Sequence, residues 1–256
     1  MKNFTFTVDD NIRVFKEIEE TRPKSIFDHP YLAMYKRLHE KYNLKVQLNL
    51  FYECDGFTLS DFTDSYIDEW KNASDWLRLS FHSRLENVNP YEFSGYEEVY
   101  NDCKKVNEEI IRFASEASLA KTTTVHYCLT TMEGLRALRD NNLLGLLGLY
   151  GKNQNPSVSY CRSEEETNKI VVGENVKSDG IVFAGIDIVL NCHKKEGILS
   201  ILNTLYERKL IKVMIHEQYF YPDHRVFQSD FEDKISAAFA ALTENGYISA
   251  FFEEVI

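Results

Sequence analysis

The chain has 256 residues, 44% of them hydrophobic, enough to bury a sizeable core in one or two domains. Its net charge of −11, from 40 acidic against 29 basic residues, excludes general binding to nucleic-acid phosphates, which calls for a basic stripe. Five cysteines at wide spacings, none in a Cys-x-x-Cys pair, argue against a disulfide framework or a structural zinc site. The first strand begins within a few residues of Met1, and no apolar run approaches the roughly 18 residues that span a membrane. The expectation is a cytoplasmic protein with reduced thiols and neither nucleic acid nor membrane as partner.

In chain order, Phe4-Thr5-Phe6-Thr7-Val8 reads as a short buried strand running into Asp9-Asp10-Asn11. Acids at the carboxyl end of a strand in a parallel α/β fold lie where ligands bind. Asp is also a preferred N-cap, and the helical face Ile12, Val14, Phe15, Ile18 that follows could take either acid in that role. Thr21-Arg22-Pro23 ends this helix, and His29-Pro30 opens a second. Leu44 to Tyr52 alternates as a strand, a helix follows over 64–72, and Trp76 to Phe81 is a third strand delivering His82. After a polar stretch through Asn87, Asn89 and Pro90, residues 96–117 form a long amphipathic helix. Thr122 to Val125 is a strand delivering His126, and 131–141 a helix with Met132, Leu135 and Leu138 inward. Leu143 to Tyr150 has the continuous apolar run of a buried parallel strand. Strands are expected at 158–161, 169–172 and 181–190, some of them in an irregular insertion around 151–180. A helix over 196–208, the strand Ile211 to Ile215 delivering His216, and a helix over 229–244 with Gly246 as C-cap complete the chain.

Alternation of strand and helix over 1–256 predicts one α/β domain, a barrel rather than a doubly wound sheet because Gly-x-Gly-x-x-Gly is absent after the first strand. Four strands then end in a metal ligand or acid–base group: Asp9 and Asp10, His82, His126, and His216. Each histidine alone is an ordinary core or capping residue, but in a barrel the four ends meet at one mouth. His29, His39, His193 and His224 fall on loops or helices and are expected to face water. Asp with His suits Zn²⁺, with Co, Ni or Mn as alternatives, and such an ion polarises carbonyls and acidifies water. A Cys128–His126 nucleophile is the poorer alternative, and no Gly-x-Ser-x-Gly elbow is present.

Thr7-Val8-Asp9-Asp10-Asn11 resembles the first motif of the polysaccharide deacetylase (NodB-like) superfamily, commonly Thr-Phe-Asp-Asp-Gly. Ser80-Phe81-His82-Ser83 is similar to the start of its second, His-Ser/Thr-x-x-His, and Val213-Met214-Ile215-His216 to its last. The resemblance implies a distorted (β/α)7 TIM-like barrel, with Asp9 as general base, Asp10 and His82 as metal ligands and His216 as general acid. Three departures stand out. Asn11 replaces Gly, Glu86 stands where the second motif has its later His, and the family's Arg-x-Pro-Tyr/Phe-Gly motif is not visible, with His126-Tyr127 near its place. His126, which ends its own strand, is preferred over Glu86 as third ligand. Glu86, Tyr127 and Glu217 are candidates for contacting substrate, and Glu217 could instead orient His216 or be a solvated rim charge. The function implied is metal-dependent removal of an acyl group from an N- or O-acylated sugar or related small or oligosaccharide substrate. The alternative is a degenerate barrel that binds such a ligand without hydrolysis. The oligomeric state stays open.

Overall fold

A computed structural model describes residues 1–86 and 91–256; the polar stretch through Asn87, Asn89 and Pro90 lies outside the described residues. Seven strands carry the architecture: β1 (Lys2–Asn11), β2 (Val46–Cys54), β3 (Leu77–Leu85), β4 (Thr122–Thr123), β5 (Gly145–Gly148), β6 (Ile181–Gly185) and β7 (Leu210–His216). Between and after them run α1 (Arg13–Thr21), α2 (Pro30–Tyr42), α3 (Ile67–Ala73), α4 (Tyr96–Ala114), α5 (Met132–Asp140), α6 (Glu164–Val171), α7 (Lys195–Leu205) and α8 (Phe231–Glu244).

β1 is the hub. It pairs in parallel with β7 on one edge, and on the other with β2 and, at its start, with the late strand Tyr247–Ser249. β2 continues in parallel to β3, and a second sheet runs β4, β5, β6, also in parallel. Two seams join the sheets. At the first, Leu79 bridges Leu119 and the Ala120 amide donates to the Leu79 carbonyl at 2.8 Å. At the second, the chain leaving β6 lays Ile188–Val189 against β7, and the Asp187 amide donates to the Lys212 carbonyl at 2.9 Å. The result is the distorted (β/α)7 TIM-like arrangement, with every strand ending at the same face.

The period-two side-chain alternation of β1 explains its placement. Phe4 and Phe6 pack on Phe239 of α8, with ring centroids 5.1 and 4.8 Å apart, and Phe6 also meets Tyr35 of α2. Thr5, Thr7 and Asp9, all buried, alternate with them.

Several expectations are corrected. Lys169–Val172 is not a strand: Lys169 to Val171 close α6, whose start is fixed by a capping box in which Ser163 accepts from the Glu166 amide and Glu166 from the Ser163 amide. Of 158–161, only Val158 makes a single bridge, to Tyr150. Val176–Ser178 forms an antiparallel hairpin with β6. Met132 is 44% exposed while Leu135 and Leu138 are buried. His29 does not face water: its Nδ1 receives the Tyr31 amide as N-cap of α2, and its Nε2 lies 2.8 Å from Glu17.

Candidate metal centre

The acid pair sits where β1 loses its regular register. Val8 and Asn11 face Leu48 and Leu50 of β2, so β1 carries one residue more than its partner, and Asp10 takes a left-handed φ of 66°. Asp tolerates that conformation better than most residues. Asn11 fixes the bulge: its Nδ2 donates to the Val8 carbonyl (2.6 Å) and the Asn49 carbonyl (3.2 Å), and its Oδ1 accepts from the Tyr31 hydroxyl (2.7 Å). A second bulge on β3 isolates His82, because Phe81 and Ser83 face consecutive residues Leu50 and Phe51. His82 therefore lies within β3 rather than at its end, and bulges of this kind re-aim side chains next to sites. His126 comes three residues beyond the short β4, in a turn whose next residues, Tyr127 and Cys128, both have positive φ (60° and 56°).

These three placements converge. Asp10 Oδ1 lies 3.0 Å from His82 Nε2 and 3.3 Å from His126 Nδ1, and the two ring nitrogens are 3.1 Å apart. The other nitrogen of each ring is committed to a main-chain carbonyl: His82 Nδ1 donates to Thr124, and His126 Nε2 to Glu86 at 2.9 Å. With those protons so placed, both facing nitrogens present lone pairs, and Asp10 adds a carboxylate oxygen. Three acceptors aimed at one another repel unless a cation lies among them. Their 3.0–3.3 Å separations match neighbouring ligands each about 2.0–2.2 Å from one ion. The donor set therefore fits a divalent metal, with the orienting carbonyls that metal-bound histidines usually have. Phe51 backs both rings, with centroids 5.1 Å from His82 and 4.9 Å from His126.

Asp10 Oδ2 accepts from Gln218 Nε2 at 2.7 Å. Burial works against its charge; with no cation among the three groups, His126 and His82 act as donors toward it instead, and with His216 they hold its carboxyl well below the usual carboxylate range. Asp9 is the opposite case. Burial, reinforced by the Asp10 charge, pushes its carboxyl well up, and the 2.7 Å bond from Asn49 Nδ2 only partly offsets this. One environment thus pushes the pKa values of two adjacent acids in opposite directions. His216, paired in register with Asp9, has its Nδ1 2.9 Å from Asn191 Oδ1. Burial lowers its pKa, with Asp10 opposing.

Asp9, Asp10, His82, His126, Tyr127 and His216 all line one cavity of about 510 Å³. The structure thus brings together all five residues singled out at strand ends, and it places His126, not the Glu86 side chain, beside Asp10 and His82. Glu86 lines the rim, half-buried, its carboxyl raised by burial and by Asp10. Tyr127 is half-exposed, its ring 4.1 Å from that of His126. Glu217 is corrected. It is buried, neither a rim charge nor a partner of His216, and its carboxylate accepts from the amides of Ile12, Arg13 and Val14 and the Tyr221 hydroxyl. It caps α1, so Asp9 and Asp10 are not needed as caps. Sequence reasoning missed Asn49, Asn191 and Gln218. Only Asn49 left a trace, as a polar residue among the apolar positions of a buried strand.

No family model matches the chain, and no curated protein matches it in sequence. Solved structures do. The 4-α-glucanotransferase of Thermococcus litoralis superposes with a TM-score of 0.62 at 14% identity, over 99% of this chain and 40% of that one. This chain thus spans well under half of that enzyme. A family 4 acetyl xylan esterase from Clostridium thermocellum, in complex with cobalt, gives 0.52 at 12% identity, over 99% of this chain and 89% of the other. The Bc1960 peptidoglycan N-acetylglucosamine deacetylase gives 0.51 at 11% identity, over 99% and 87%. The chain shares the fold of these enzymes at low sequence identity.

Proposed function

We propose that the protein is a metal-dependent hydrolase that removes an acyl group from an N- or O-acylated sugar or a related small substrate. The observation that carries this reading is the convergence of Asp10 Oδ1, His82 Nε2 and His126 Nδ1 within 3.3 Å, with Asp9 and His216 on the same cavity wall. A fold shared by a glucanotransferase and by deacetylases does not choose between chemistries; the side chains do.

Asp10, His82 and His126 would hold the ion, Zn²⁺ or another borderline divalent metal. When bound, such an ion polarises a carbonyl oxygen and makes water acidic near neutral pH. Asp9, whose carboxyl burial raises, would accept a proton from the attacking water. With Nδ1–H tied to Asn191 Oδ1, His216 has Nε2 left for the cavity, where as the imidazolium it would give its Nε2 proton to the departing amine or alcohol. Tyr127 and Glu86 on the rim would meet the sugar.

The test loads purified protein with Zn²⁺, Co²⁺, Ni²⁺ or Mn²⁺, counts bound metal by elemental analysis, and assays acetylated chito- and xylo-oligosaccharides and an aryl acetate. One ion per chain and acetate release, both lost in Asp10→Ala, are expected. An unchanged metal content and rate in that variant would overturn the proposal. An ion without hydrolysis of any acyl substrate would instead point to a barrel that binds its saccharide and leaves it intact.

A further inference from the structure

A column of polar side chains runs through the barrel interior beneath Asp9. Gln47 and Asn49 are successive inward residues of β2, essentially without exposure. Asn49 Nδ2 donates to Asp9 Oδ1 at 2.7 Å, and Asn49 Oδ1 accepts from Gln47 Nε2 at 2.8 Å. The second Gln47 Nε2 hydrogen goes to the main-chain carbonyl of Thr122 at 2.8 Å, across the barrel, because β3 separates β2 from β4. On the other side of the same amide, Gln47 Oε1 lies 3.0 Å from the Thr122 hydroxyl.

The direction of this column is fixed at its lower end. A main-chain carbonyl only accepts, so Gln47 must present its NH₂ to Thr122 and thereby to Asn49. Asn49 must then present its own NH₂ to Asp9. Neither amide can flip without leaving a buried acceptor facing another acceptor, which costs roughly 1–3 kcal/mol per group. Asp9 Oδ1 is thus permanently occupied as an acceptor, and Oδ2 is left for the cavity. Barrel interiors are ordinarily filled by branched apolar residues, and two buried amides add no stability over them.

We infer that Asn49 is the positioning residue of the proposed base, and that Gln47 sets its polarity. This rests on the hydrolase reading above. No arginine contacts Asp9 among the described hydrogen bonds and ion pairs, so the orienting donor here is a neutral amide supplied from the barrel core.

The test compares wild type with Asn49→Ala and Asn49→Leu. The second keeps the approximate volume but removes the donor facing Asp9. Both variants are expected to lose about 10- to 100-fold in kcat, the range found when groups that orient a reactive ligand are removed. KM should stay within about twofold and bound metal at the wild-type level, a split that general unfolding would not give. In wild type, the side-chain amide protons of Gln47 and Asn49 should exchange slowly with D₂O by NMR. A kcat near wild type in either variant, or rapid exchange of those protons, overturns the inference while leaving the hydrolase reading intact. A wild type inactive on every acyl substrate sinks the hydrolase reading, and the positioning role with it.

Discussion

At the scale of single residues, the third metal ligand is where sequence and structure divide most usefully. From spacing alone, Glu86 and His126 were both open. The structure uses both, but differently: the His126 ring joins Asp10 and His82, while Glu86 supplies only its main-chain carbonyl, to His126 Nε2. A side-chain change at Glu86 therefore leaves the centre's geometry standing. Glu86→Gln is expected to bind one ion per chain with affinity within about tenfold of wild type, at or below the range of changes around the ligands. His126→Ala removes a lone pair and should weaken binding by more than about 100-fold, beyond that range. Calorimetric titration of metal into chelator-stripped protein measures both; equal losses would mean the Glu86 carboxylate is itself a ligand. The strand-end positions of Asp9, Asp10 and His216 were legible because β1 and β7 are strongly apolar and end abruptly in polar groups. That His82 faces the cavity from within its strand was not legible. It depends on a bulge against β2, a register property that no local pattern encodes.

At the scale of elements, α1 begins without a capping side chain of its own; its N-cap, Ile12, has none to offer. Glu217 supplies the cap from 203 to 205 residues away, and the acidic end of the helix dipole interaction comes with it. This joins α1 to the turn after β7, so the two segments that carry Asp10 and His216 are tied together behind the site. A distant cap is invisible to sequence reasoning, which finds caps at the helix start. Glu217→Gln puts an NH₂ that cannot accept in place of an oxygen that does, and is expected to cost about 1–2 kcal/mol near pH 5. Burial pushes the Glu217 carboxyl up to about 7, although the three amides and Tyr221 oppose it. A carboxyl raised in the folded state favours folding while it is protonated, so its contribution is complete below its ordinary value of 4.5 and is lost as pH rises through about 7. The stability difference between wild type and Glu217→Gln should thus move against wild type by about 3 kcal/mol from pH 4.5 to 7.5, enough to reverse its sign. Urea unfolding of chelator-treated protein across that range measures it. A difference that moves in favour of wild type would show that the helix terminus outweighs burial at this site.

For the whole molecule, the site exists because two separately paired sheets are held as one ring: Asp10 and His216 come from one sheet, and the turn bearing His126 follows the first strand of the other. The seam between β6 and β7 is narrow, with the two-residue strand Ile188–Val189 pairing across it. Asp187 reinforces it. Its side chain, almost fully buried, accepts from the Lys212 amide at 2.8 Å, pairs with Lys212 Nζ at 3.2 Å and with the Arg208 guanidinium. Lys212 Nζ has no other partner among the described residues, so its charge depends on Asp187 alone. Charge pairs of this kind add little over an apolar replacement, yet breaking one strands an ion in the interior. Asp187→Ala should therefore destabilise by about 3–5 kcal/mol. Asp187→Leu combined with Lys212→Met, which removes both charges, should recover most of that loss. If the seam also holds the two halves of the site in register, the single variant should lose metal affinity while still folded, and the double variant should regain it. Urea unfolding and metal titration on the same preparations test both halves. A double variant no more stable than Asp187→Ala would mean that the seam depends on the hydrogen bond to the Lys212 amide rather than on balanced charge.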